Sequence, residues 1–191
     1  MKKLILLLTV LATACVQAAI PGPYLIQSRP ISDYVTISIG VHPVRLPLSF
    51  IKDAKISSGQ GIDIRLSGRR GISITNHTKK QWMNEWRDEK TGSVSMSQIP
   101  GMLFNARISV IKDKGFRKQL STIRQVVLHN NIDVTGYIKR KDVIIYIAIS
   151  RDKGISSILL SSKKYPHMFT QISLYGLTKT EIDNNVIQGV L

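Results

Sequence analysis

Cysteine is almost absent from this chain: Cys15 is the only one in 191 residues. No disulfide can form within the chain, and Cys-x-x-Cys redox sites and Cys-rich zinc sites are excluded. Acidic residues are also scarce, with 12 Asp+Glu against 27 Lys+Arg, and Glu85, Glu89 and Glu181 are the only glutamates. Aromatics make up 6% of the residues. No apolar run approaches the roughly 20 residues that cross a bilayer as a helix. His42, His77, His129 and His167 stand in none of the metal-binding spacings such as H-E-x-x-H. No G-x-S-x-G elbow is present. Gly59-Gln60-Gly61 lacks the preceding strand and following helix of a phosphate cradle. A paired-carboxylate site would have to be gathered from aspartates such as Asp63 and Asp133, both on predicted strands. The sequence therefore names no catalytic, cofactor or metal residue, and none is expected.

What is present begins at the amino terminus. Lys2 and Lys3 precede an apolar stretch of 11 residues, Leu4 to Ala14, and small residues follow to Ala19. That layout is an export signal, too short to span a membrane once the chain is mature. Cleavage after Ala18, with Val16 and Ala18 at the positions read by signal peptidase, or one residue later, discards Cys15. Cleavage before Cys15, after Ala12-Thr13-Ala14, would instead leave a lipid-bearing thiol, and an outer-membrane lipoprotein is the alternative product. The expected organisation is a signal peptide at 1–19, an extended proline-rich arm at 20–33, and an exported domain at 34–191. A serine- and glycine-rich linker at 91–101 divides that domain into two lobes.

Charge is the second signal. The chain carries a formal +15, and loss of Lys2 and Lys3 leaves it strongly basic. Such a field attracts polyanions. In an exported protein these are acidic envelope proteins, lipopolysaccharide or an anionic lipid surface; the compartment argues against nucleic acid.

The apolar residues are mostly Ile, Leu and Val, and they alternate with polar ones, which favours strands. Tyr34 to Val41 reads as a short strand, broken up afterwards by Pro43 and Pro47. Ile62, Ile64 and Leu66 lead into Gly68-Arg69-Arg70-Gly71 and then Ile72 and Ile74, the pattern of a hairpin. Its tip is expected to hold Arg69 and Arg70 out in water as a basic finger. Thr78 and Gln81 form a capping box that opens a helix carrying Trp82, Met83 and Trp86 on one face.

Met102 to Lys112 reads as a strand, Lys112 to Gly115 as a turn, and Phe116, Leu120, Ile123 and Val127 recur at helical spacing. Strands at 132–138 and 143–149 are joined by Lys139-Arg140-Lys141-Asp142, a second basic tip. Arg151 and Lys153 lie in the next turn, strands follow at 155–160 and 169–175, and Thr178 with Glu181 caps a final helix. The expectation is an α+β protein: a mainly antiparallel sheet of about seven or eight strands with two or three short amphipathic helices. Successive turns of a meander point to opposite ends of a sheet, so the Lys139–Lys141 and Arg151/Lys153 turns should not form one patch.

The element order over residues 102–188 resembles the small α+β modules that stack into rings in bacterial secretion machines. Signal, basic turns and self-sufficient core together lead to the expectation of a non-enzymatic exported protein. It would serve as a binding or assembly component of a secretion, pilus or conjugation apparatus or another cell-surface structure. Arg69, Arg70, Lys139, Arg140 and Lys141 are its candidate contacts with an anionic partner. Two alternatives stand beside it. One is a secreted effector or hydrolase with a site built from scattered Asp, Ser and His; the other is an exclusion or immunity lipoprotein lipidated at Cys15.

Overall fold

A computed structural model describes residues 22–26, 33–39, 41–81, 94–104, 113–128 and 132–190. The expected export signal with Cys15, the part of the expected tryptophan helix beyond Gln81, residues 105–112 and His129 lie outside the described residues. The architecture is α+β: one eight-stranded sheet, a separate two-stranded hairpin and a few short helices.

The centre of the sheet is the least polar part of the sequence. Strands β8 (Val143–Ser150), β9 (Ile155–Ser162) and β10 (Met168–Tyr175) are adjacent and antiparallel. Both of their faces are covered, so β9 is buried from Ser156 to Ser162. Four serines in such a strand need partners. Ser156 Oγ accepts from the Ser150 amide, Ser161 Oγ donates to the Ser97 carbonyl, and Ser162 Oγ donates to Asp142.

Outside β8 lie β7 (Ile132–Arg140) and the two-residue β1 (Gly22–Pro23), the one parallel neighbour. Outside β10 lie β6 (Gly71–Thr78), β5 (Gly61–Arg65) and β4 (Lys55–Ser58) in that order. β6 pairs with β10 along its whole length, so segments on either side of 91–101 share one sheet.

Each face of the sheet has its own cover. Ile74, Ile147, Ile158 and Ile172 pack beneath β2 (Tyr34–Ile39), β3 (His42–Pro47), the single turn α1 (Leu48–Ile51) and a C-terminal helix. That helix runs through Lys179–Glu181, a π-helical stretch Ile182–Ile187 and a last turn Gln188–Val190. On the other face Ala148, Leu159 and Phe169 meet α2 (Ile99–Phe104) and α3 (Lys114–Val127). α3 buries Phe116, Leu120, Ile123 and Val127, the spacing read from the sequence, and Asp113 caps it by accepting from the Phe116 amide at 2.8 Å. Among the described residues no helix is long and apolar enough to cross a membrane.

Four expectations are corrected. Met102 to Phe104 are helical, not strand, and the expected linker through Gly101 is largely structured. Ser95 and Gln98 form a capping box that starts the turn Met96–Gln98 and leads directly into α2, where Ile99 and Pro100 are buried. The rest of the expected strand, 105–112, lies outside the described residues. Pro43 and Pro47 stand inside β3 rather than interrupting it. A two-stranded hairpin has free edges, where a missing N–H donor is tolerated. Finally, Arg70 is not held out in water: it folds back onto the Glu181 carboxylate, while Arg69 stays exposed.

Candidate functional site

The strand order decides which basic residues can act together. β6 lies beside β10, so the Arg69/Arg70 turn falls at the same end of the sheet as the Arg151/Lys153 turn and the start of the C-terminal helix. Among the described residues three cations of this end are ion-paired, while Arg69 and Lys153 are not. Arg70 pairs with Glu181, Arg151 with Asp133 at 3.0 Å, and Lys179 with Asp183. Glu181 is held below the usual carboxylate range, first by the Thr178 amide it caps and further by Arg70 and Lys153. Its carboxylate also accepts from the Thr178 hydroxyl at 2.9 Å, completing the expected capping box.

The opposite end has another character. Lys139 and Arg140 are the last residues of β7, and the turn that follows is only Lys141-Asp142, with Lys141 at φ 49°. The β9–β10 turn contributes Lys163 and Lys164, and β6 runs out into Lys79 and Lys80. All seven side chains are exposed. The two turns are two strand spacings apart, about 10 Å. Asp142 is the one carboxylate in these turns, and it accepts a hydrogen bond from Ser162 at 3.3 Å. Among the described residues no ion pair engages any of the seven. The sequence-predicted contacts therefore separate: Lys139, Arg140 and Lys141 belong to this free basic end, Arg69 and Arg70 to the paired one.

Behind Arg140 and Lys141 lies a cavity of about 420 Å³ between β3, the β7–β8 turn and the end of the C-terminal helix. Arg45, Arg140 and Lys141 supply its cations, Asp142 its one carboxylate, and Val143, Ile145, Leu160 and Val190 its apolar surface. Arg45 also places its guanidinium 4.9 Å from the centre of the Tyr34 ring. Gly189 lets the helix close on β3, since a Cβ there would lie 1.6 Å from the Arg45 carbonyl oxygen.

His42 forms part of the wall and is 6% exposed, with its Nε2 buried and without a hydrogen-bond partner among the described residues. Burial lowers its pKa, and the nearby Asp142 offsets this only in part, so the ring is neutral at pH 7. Neither His42 nor Arg45 was singled out by sequence. The available signal was the phase of His42 with Val44 and Leu46 along β3, which put it on the buried face.

Among the described residues, those considered for hydrolysis are not gathered. Asp63 on β5 and Asp133 on β7 are five strand spacings apart, about 24 Å, beyond the reach of any glycosidase pair. His167 is exposed in the β9–β10 turn, and His77 bonds to Gln171 at 2.9 Å and stacks on Phe169. No three of His, Cys, Asp and Glu gather as a metal-binding group among the described residues. No family model, curated protein or solved structure matches this chain.

Proposed function

We propose that this chain is a non-enzymatic binding or assembly component that works outside the cytoplasm, in the envelope or at the surface of a bacterial cell. It docks an acidic partner, protein or lipopolysaccharide, through the end of the sheet that carries Arg140, Lys141, Lys163 and Lys164. The observation that carries this reading is the segregation of charge. Three cations at one end, Arg70, Arg151 and Lys179, are matched by Glu181, Asp133 and Asp183, with Arg69 and Lys153 outside these pairs, while none of the seven at the other end is ion-paired among the described residues. Unpaired surface cations in a cluster steer anions and set orientation, whereas paired ones are largely neutralised. The signal at 1–19 supports the compartment, and a secretion, pilus or conjugation structure is a setting that needs such a component.

The test compares the two ends. Charge reversal at Arg140, Lys163 and Lys164 together is expected to weaken binding to purified envelope fractions at least tenfold and to flatten its salt dependence. Reversal at Arg69 and Arg151 should change binding less than twofold. Equal effects from the two ends, or binding indifferent to salt, would reject the docking role. Palmitate labelling of the native protein distinguishes the Cys15 lipoprotein form from a product cleaved after Ala18 or Ala19.

A further inference from the structure

The cavity beside the basic end combines features that a simple docking surface does not need. Its lining cations, Arg45, Arg140 and Lys141, come from two separate strands and a turn, with the Asp142 carboxylate among them. Beneath them the lining turns apolar, with Ile145 and Leu160 at the floor and Val143 at the side. A buried polar atom without a partner, such as His42 Nε2, calls for a water, an ion or a ligand group to complete it.

We infer that this cavity binds a single-chain anionic amphiphile, its carboxylate or phosphate held by Arg45, Arg140 and Lys141 and its alkyl tail against Val143, Ile145 and Leu160. The inference rests on the docking reading for its choice of anion and adds the ligand class. Charge complementarity selects the head group. A free phosphate or acetate would leave the apolar lining unused, and a cationic surfactant would meet three like charges against the single carboxylate of Asp142. The size is suitable: about 420 Å³ holds about 14 water-sized atoms at liquid density, which is close to a decanoate ion. The neutral imidazole of His42 fits the wall of such a site, because it adds no charge beside the tail.

Decanoate, kept below its micellar concentration, is titrated into the processed protein and followed by calorimetry. One saturable site is expected. Octanoate, two methylenes shorter, should bind about fifteenfold more weakly, because each buried methylene is worth about a factor of four. Acetate, inorganic phosphate and decyltrimethylammonium should show no saturable binding. Arg140→Glu with Lys141→Asn should weaken decanoate at least tenfold; both side chains are exposed and asparagine suits the positive φ, so the fold is retained. Val143→Trp, checked by thermal melting, should block the tail while leaving the head-group cations in place. Phosphatidylglycerol vesicles separate a free amphiphile from a membrane lipid: in the free case vesicles do not compete with decanoate.

Phosphate binding as tightly as decanoate, or decanoate binding unchanged in both variants, would overturn the inference, as would full competition by vesicles. Absence of decanoate binding while the protein still docks envelope fractions in a salt-dependent way removes the cavity site alone. Saturable decanoate binding without such docking removes the docking reading and leaves a ligand site.

Discussion

Protonating His42 would place a charge in a wall packed against Val44 and Leu46 on the same strand face. Burial holds its folded pKa below the ordinary 6.5, and Asp142 recovers only part of that shift. The unfolded chain therefore takes up this proton more readily than the folded one. Stability from this residue is complete above pH 6.5 and declines as the pH falls through that value. The melting temperature is expected to drop between pH 7.5 and 5.5, and His42→Phe should flatten that slope while keeping the edge-on contact with Tyr165. Equal slopes in both proteins would assign the titration elsewhere. Glu181 works with the opposite sign of charge. Its lowered pKa means that its contribution is present at neutral pH and is lost as the pH falls through the carboxylate range. Glu181→Gln keeps an acceptor for the Thr178 cap but removes the partner of Arg70, whose Nε is already buried without a hydrogen bond. The pair is about one-third exposed, so a loss of about 1 kcal/mol or less is expected, read by chemical denaturation.

At the scale of elements, the contact between the C-terminal helix and β3 depends on one missing side chain. A methyl group at Gly189 would meet the Arg45 carbonyl oxygen, which is backbone and cannot rotate away. Gly189→Ala is expected to cost about 2–3 kcal/mol, whereas Gly59→Ala, with open space around it, should change stability little. Equal melting temperatures would show that the helix end does not seat on β3. The middle turn of the same helix is π-helical. Ile182, Val186 and Ile187, which it carries, are all fully buried.

Element types were legible where the alternation was local. The hairpin around Gly68–Gly71, α3 with its Phe116-to-Val127 stripe, and the strands after Ile132 follow directly from periodicity. Met102 to Phe104 were not, because a short apolar run fits strand and helix alike, and the cap at Ser95 and Gln98 was unread. The site was legible only as separate basic turns. Which turns share an end depends on β6 lying against β10, a pairing between residues some ninety positions apart that no local pattern encodes.

For the whole molecule, the direction in which the N-terminal arm joins the sheet bears on how the protein faces its surroundings. β1 runs parallel to β7, with Gly22 opposite Gly136 and Pro23 opposite Tyr137. β7 itself runs from Ile132, paired with Ser150 at the ion-paired end, to Arg140 at the free basic end. The arm is anchored firmly for so short a strand. Tyr24 is buried, its amide donates to the Tyr137 carbonyl at 2.8 Å, and its hydroxyl donates to Asp183 at 2.6 Å. Burial and the neighbouring Asp183 push the phenol well up, so it remains a donor throughout the physiological range. Within β1 the chain runs from Gly22 toward the free basic end, so Gly22 itself faces the ion-paired end. A tether at the amino terminus would then point Lys141, Lys163 and Lys164 away from the attachment surface and toward a partner. Two attachments test this polarity. A chain starting at Ile20 with one cysteine added ahead of it, and one carrying Lys164→Cys instead, are each coupled to a maleimide surface and exposed to envelope fractions. Amino-terminal attachment is expected to preserve binding, and attachment through position 164 to reduce it at least tenfold. If both surfaces capture equally, the basic end is not the face that meets the partner, and the segregation of charge along the sheet serves solubility alone.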